Sequence, residues 1–269
     1  MRLFALRNRA SETAEVLALL ECYERSESFF FELAPQADPW ELPFILHEFA
    51  QRGSLTVDAA WSRRWVQSRL VPPERQNLGE VLRENGLASY DELKLLELTG
   101  GRCSQDECYL EPVVREQVPA WYKEREKSRL ADVYALGGRR LMAAYRDGAV
   151  LVCDVRGLFE ARRPFARLLK EETAFLRVSL QAGGHGAQWG STLALSAAEL
   201  RQIGQPLPLD TGDVALLVSQ AVCDTAEAAQ LLGCTRQNVS DLVRRGRLVP
   251  LKESGRTTLF LRAEILARR

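Results

Sequence analysis

The chain has few of the groups from which catalytic and metal centres are built. Two histidines, His47 and His185, are found among 269 residues. The one spaced cysteine pair, Cys103-x4-Cys108, therefore has no nearby second pair of ligands, and neither a structural zinc nor any other metal site is expected. Cys22, Cys153, Cys223 and Cys234 are scattered, which suits reduced thiols better than a disulfide framework. No run of about 18 apolar residues is available to span a membrane. The first residues lack the apolar stretch and small-residue cleavage site of a signal peptide, so a cytoplasmic location is expected. Net charge is also absent, with 36 basic residues against 36 acidic ones. Thr99-Gly100-Gly101 lacks the Lys-Ser pair of a phosphate-binding loop and reads as the end of a helix. His185, inside Gly183-Gly184-His185-Gly186, has no Ser or Cys nucleophile beside it and reads as a solvated turn residue. Glu80, Glu84, Glu92 and Glu97 read as solvated helix faces, and no carboxylate pair stands out. No catalytic residue, cofactor or enzymatic activity is expected.

The composition that remains, 46% hydrophobic and 27% charged, is that of an ordinary globular protein long enough for two or three domains. Charge is unevenly placed. From Cys223 to Arg269 nine basic residues face five acidic ones, leaving 27 basic and 31 acidic before them. A basic tail on an acidic body has the sign that phosphate binding needs.

The expected architecture is α+β and multidomain. Residues 1–120 read as a mostly helical domain of unknown role, with apolar positions at helical spacing in 13–22, 40–52, 57–70, 77–85 and 90–98. Phe29-Phe30-Phe31-Glu32-Leu33 reads as a strand or an apolar helix edge. Trp61 and Trp65, four apart beside Arg63 and Arg64, form a core stripe flanked by exposed arginines, or an aromatic-basic surface. The polar stretch 116–129 reads as a linker. A small α+β domain is expected over 129–204: strands at 130–136, 140–145 and 149–155 with a hairpin turn at Arg146-Asp147-Gly148, helical signals at 164–169, a strand at 176–180, a turn at 183–186 and a last strand over 188–195. Ser196 and Glu199 are spaced as a capping box for a short helix, and 204–212, with two prolines, reads as a second linker or loop.

The strongest pattern runs from Thr225 to Arg244. Asp224 or Thr225 can cap a first helix, Ala229 is small enough for a second helix to cross closely, and Gly233 supplies the left-handed residue that ends the first helix. Thr235 then caps a second helix whose Val239 and Leu242 face Leu231 and Leu232. Arg236, Gln237, Ser240, Asp241 and Arg244 are left on the outer face. Arginine and glutamine are the side chains that pair bidentately with guanine and adenine, whereas Asp241 is an unhelpful charge near phosphate. Arg245-Gly246-Arg247-Leu248 ends that helix, Leu248 to Leu251 can start a strand, Glu253 to Arg256 turns the chain, and 257–261 returns. Arg262-Ala-Glu-Ile265 starts a terminal helix. The stretch Thr225–Arg269 resembles the excisionase-like, MerR-like winged helix-turn-helix family, a domain placed at 220–269. The resemblance implies binding to double-stranded DNA. The candidate contacts are Thr235, Arg236, Gln237, Ser240, Asp241, Arg244, Arg245, Arg247, Lys252 and, at the wing tip, Arg256.

Tyr145-x-Asp147-Gly148, Asp154, Leu158, Phe165-x-x-Leu168, Phe175-x-x-Val178 and Trp189 resemble a small α+β domain of many bacterial proteins, some antitoxin-like and some with an attached helix-turn-helix. Those positions are turn and core residues, and no site transfers with them. The expected function is a sequence-specific transcriptional regulator, a homodimer because one small module buries too little surface for tight specific binding. The alternative is an antitoxin-like or adaptor protein that binds a protein partner and uses DNA for autoregulation.

Overall fold

The computed structural model describes residues 1–11, 15–255 and 257–268. The chain divides into two compact units, Met1–Asp147 with Cys153–Gly204, and Gly148–Val152 with Gln205–Arg269.

Strands open the first unit, in a region expected to be mostly helical, and Phe29–Leu33 takes the strand reading. β1 (Arg2–Asn8), β2 (Ala18–Tyr23) and β3 (Ser28–Leu33) are followed by α1 (Phe44–Gln51), β4 (Thr56–Val57), α2 (Ala59–Ser68), α3 (Leu78–Glu84), α4 (Glu92–Thr99) and β5 (Cys108–Pro112). The strands form one antiparallel sheet in the order β4-β3-β2-β1-β5. One face, with Leu20, Phe31 and Leu33, packs against Leu46 of α1, Trp65 and Val66 of α2, and Leu95 and Leu96 of α4. The other, with Leu3, Ala5 and Leu19, packs against Val118 and against Tyr122 of α5 (Ala120–Lys127). A sheet covered on both sides loses the alternation that marks a strand. β2 and β3 are buried almost from end to end, which is why 13–22 imitates a buried helix edge; its described part leads into β2. The four other helical segments of this region correspond to α1–α4. Asp58 caps α2 by accepting from the Trp61 N–H at 2.9 Å, and Asp91 caps α4 from the Lys94 N–H at 3.1 Å. Trp65 is core, whereas Trp61 is exposed beneath the Arg64 guanidinium.

The stretch 116–129 is no linker: it carries α5. Beyond it come β6 (Leu130–Leu136), β7 (Arg140–Tyr145), β8 (Val150–Asp154), α6 (Arg156–Glu160), α7 (Ala166–Lys170), α8 (Glu172–Phe175), β9 (Ser179–Leu180), β10 (Gly186–Trp189), β11 (Leu193–Ser196) and α9 (Ala197–Ile203). β6 and β7 pair antiparallel. Phe159, Phe165, Phe175 and Trp189 form an aromatic core, Phe159 stacking on Phe165 at 4.8 Å and meeting Trp189 edge-on at 5.3 Å. The indole N–H of Trp189 donates to the Phe175 carbonyl at 2.8 Å. Residues 188–195, expected as one strand, are split between the two arms of the β10–β11 hairpin, with Gly190 at φ 66°. The Ser196–Glu199 capping box forms as expected.

The second unit contains α10 (Thr211–Ala221), which follows β12 (Gly204–Pro206), and then β13 (Val222–Asp224), α11 (Thr225–Leu232), α12 (Arg236–Arg244), β14 (Lys252–Ser254), β15 (Thr257–Leu261) and α13 (Arg262–Leu266). The last three strands make an antiparallel sheet, β13-β15-β14. Cys223, Ala228, Ala229, Val239, Leu248, Phe260 and Ile265 form its core. Among the described residues no helix is long and apolar enough to cross a membrane.

Candidate nucleic-acid interface

Side chains placed by the local sequence fix the geometry of α11 and α12. Asp224 accepts from the N–H groups of Ala226 at 2.7 Å and Glu227 at 2.9 Å, while its own N–H donates to the Glu227 carboxylate at 3.0 Å. This reciprocal box satisfies donors that the first turn of a helix leaves unpaired. Gly233, at φ 65°, ends α11, and the Cys234 N–H returns to the Ala229 carbonyl at 2.9 Å. Thr235 caps α12 by accepting from the Asn238 N–H at 3.2 Å. Ala229 and Val239 are buried in the same small core, where only short side chains let two helices approach.

That core turns the opposite face of α12 outward. Thr235, Arg236, Gln237, Ser240 and Arg244 are exposed, as are Arg245, Arg247 and Lys252. Asp241 is half-buried and accepts from the Arg244 guanidinium at 2.5 Å, so the unfavourable charge is already occupied by a cation. The Ser240 hydroxyl donates back to the Arg236 carbonyl at 3.1 Å. Among the described residues the side chains of Arg236, Gln237, Arg245, Arg247 and Lys252 have no hydrogen-bond partner. Asn238, missing from the expected set, is exposed in the first turn of α12. It lines a shallow groove of about 440 Å³ with Leu232, Cys234, Asp241, Leu242 and Arg245. The cap pattern Thr-x-x-Asn was the signal that could have drawn attention to it. β14 and β15 pair Lys252 with Leu259 and Ser254 with Thr257, and the expected tip residue Arg256 lies outside the described residues.

Residues 222–268 match the helix-turn-helix domain family. The match begins at β13 and runs through α13, so the family covers the capped helix pair together with its three-stranded sheet. No curated protein matches the chain. A crystal structure from Nitrosomonas europaea ATCC 19718, described as a candidate DNA-binding protein, is 21% identical over 46% of this chain and 79% of its own, with a TM-score of 0.26. At that level of likeness it carries no argument. The helix-turn-helix domain itself rests on its residues and their geometry.

The first unit holds a second cluster, and it corrects the reading of His185. Glu21 of β2 and Glu32 of β3 lie diagonally on one face of the sheet, since Leu19 pairs with Glu32 and Glu21 with Phe30. Arg129 donates to Glu21 at 3.1 Å and to Glu32 at 2.8 Å, and Arg125 to Glu32 at 2.9 Å. The His185 Nε2 lies 2.9 Å from Glu21, and its ring stacks on Phe30 at 3.8 Å. His185 is thus a buried partner of a carboxylate instead of a solvated turn residue. The glycines around it make this possible. A Cβ on Gly184 would stand 2.1 Å from the Leu130 carbonyl oxygen, and one on Gly183 would stand 1.8 Å from the Tyr23 hydroxyl. Burial pushes the Glu21 carboxyl up, but His185 and Arg129 outweigh it and hold the group well below the usual carboxylate range. Glu21, Glu32 and His185 bring ligand atoms within 4.8 Å of one another, a spacing that suits a metal ion. The guanidinium of Arg129, bonded to both carboxylates, takes the place such a cation would need. The cluster is a buried ion network joining β2 and β3 to residues 125–129 and the turn at 183–186.

Proposed function

We propose that this chain is a sequence-specific, bacterial-type transcriptional regulator that binds double-stranded DNA as a homodimer in the cytoplasm. On this reading it acts by binding, without catalysis. One observation carries the proposal: a doubly capped helix pair of the helix-turn-helix family presents Arg236 and Gln237, free of internal partners, on the outer face of its second helix. A recognition helix of this kind enters the major groove, where arginine and glutamine discriminate bases and Arg245, Arg247 and Lys252 have the chemistry for phosphate. The β14–β15 hairpin fits the role of a wing, as in the excisionase-like and MerR-like modules. Selection of the intact protein on random-sequence duplex tests the proposal. An enriched site with two inverted half-sites, bound less tightly as salt rises, is the expected result. Absence of enrichment from a folded protein would overturn it.

A further inference from the structure

An apolar helix with most of its surface exposed precedes the helix-turn-helix domain, whose β13 and α13 it touches. α10 (Thr211–Ala221) reads Thr-Gly-Asp-Val-Ala-Leu-Leu-Val-Ser-Gln-Ala, and none of its residues is buried. Leu216 and Leu217 are each 57% exposed and Val218 is 51% exposed. It is nevertheless a specified helix. Asp210 caps it by accepting from the Asp213 N–H at 2.8 Å, and the Asp213 carboxylate accepts from the Asp210 N–H at 3.1 Å. Val214, Leu217, Val218 and Ala221 follow the i, i+3, i+4, i+7 spacing of a helix that buries one side against another element. Leu216 widens that side. Leu217 and Val218, exposed on that side between the half-buried Val214 and Ala221, mark an interaction surface together with the adjoining Leu216.

The geometry points to a second copy of this chain as the occupant: two α10 helices pack across a two-fold axis and bring two helix-turn-helix domains together. The inference rests on the proposed DNA-binding function and names the surface through which the dimer forms. Charge favours a copy of the helix itself. In a two-fold contact each residue meets its own symmetry mates, so a helix charged with one sign would repel itself. From Val214 to Cys223 there is no charged residue, and the lone charge of the helix, Asp213, stands at its first turn. Position favours the same partner, because α10 leads directly into β13, the first strand of the helix-turn-helix domain. Pairing at α10 therefore ties the spacing of two recognition helices to the symmetry of an inverted repeat. Area sets the strength. A helix of 11 residues is about 16 Å long, and a pair of them buries far less than the roughly 1,200 Å² at which a specific interface stands alone. The contact is thus weak in free solution and is completed on DNA, where two half-sites hold the modules side by side and raise their effective concentration.

The test compares the chain with L217E, at a position 57% exposed, in sedimentation equilibrium and in binding to the selected duplex. Far-UV circular dichroism and thermal unfolding of L217E should match the parent. The parent should self-associate at high protein concentration, L217E should not, and both should bind a single half-site equally. On a duplex with two half-sites the parent should bind cooperatively, and L217E should lose about tenfold or more. Identical sedimentation of the two chains at every concentration, or identical cooperativity, would overturn the inference and leave α10 to the rest of the chain or to another protein. Should no duplex be selected, the DNA-binding reading fails, and sedimentation still decides whether the helices pair.

Discussion

Replacing Arg129 with methionine removes the cation shared by Glu21 and Glu32 while keeping most of its volume. In the native chain two buried carboxylates face two guanidiniums and an imidazole. In R129M, Glu32 keeps Arg125 and the Thr56 hydroxyl, and Glu21 keeps His185 and the Tyr23 hydroxyl. Glu21 and Glu32 then lose the buried, hydrogen-bonded cation they share, which costs about 3–5 kcal/mol. All five tryptophans, at 40, 61, 65, 121 and 189, belong to the first unit, so tryptophan fluorescence reports its unfolding specifically. With a urea dependence of about 2 kcal/mol per molar, a loss of 3 kcal/mol moves the midpoint down by about 1.5 M. The pH dependence separates electrostatics from packing. Glu21 in the folded chain titrates below its ordinary value of 4.5, so the stability it contributes is present above that pH and is lost as the pH falls below it. Without Arg129 the folded-state value rises, so acid costs the variant less than it costs the native chain. The gap between native and variant should therefore narrow from pH 7 to pH 3.5. A loss under about 1 kcal/mol, or a gap that stays constant over that range, would refute a charge-compensation role.

Other outcomes follow from single positions. Gly184→Ala should cost about 4 kcal/mol or abolish folding, because its Cβ would collide with the Leu130 carbonyl oxygen at a φ of 78°; Gly53→Ala, at φ 70° in open space, should cost about 1 kcal/mol in the same urea assay. Asp224→Ala should destabilise the helix-turn-helix domain by about 1 kcal/mol and speed hydrogen exchange at the amides of Ala226 and Glu227, which it now binds. Asp241→Ala should release Arg244 and remove a negative charge from the outer face, tightening duplex binding about two- to fivefold at low salt. Weaker binding would instead make Asp241 a base contact.

Legibility followed the physics of each segment. The helix-turn-helix was readable because its boundaries are written as local chemistry. Asp224, Gly233 and Thr235 each act within a few residues of themselves, and all three sit where the caps require them. The Ser196–Glu199 box was readable for the same reason. β2 was not, because a strand buried on both faces shows no period of two, and the covering layer comes from helices dozens of residues away. α5 hid inside a charged stretch because Arg125 and Arg129 are aimed at carboxylates about a hundred residues upstream. The depth of His185 depends on the same long-range pairing. Its flanking glycines were visible, but the close approach they permit, to Tyr23 and Leu130, was not. α10 is masked by the prolines before it, which read as a linker or loop, although Asp210-x-x-Asp213 before an apolar run is a helix start.

The most direct test of the central claim is the affinity of the R236A/R244A double variant for the selected duplex, measured by fluorescence anisotropy at two salt concentrations beside the parent. Both positions are exposed and lie outside the core of the domain, so folding is expected to be retained. Discrimination between the selected and a scrambled duplex should collapse while weak, salt-sensitive binding remains. Unchanged discrimination in the folded variant would contradict α12 as the recognition helix.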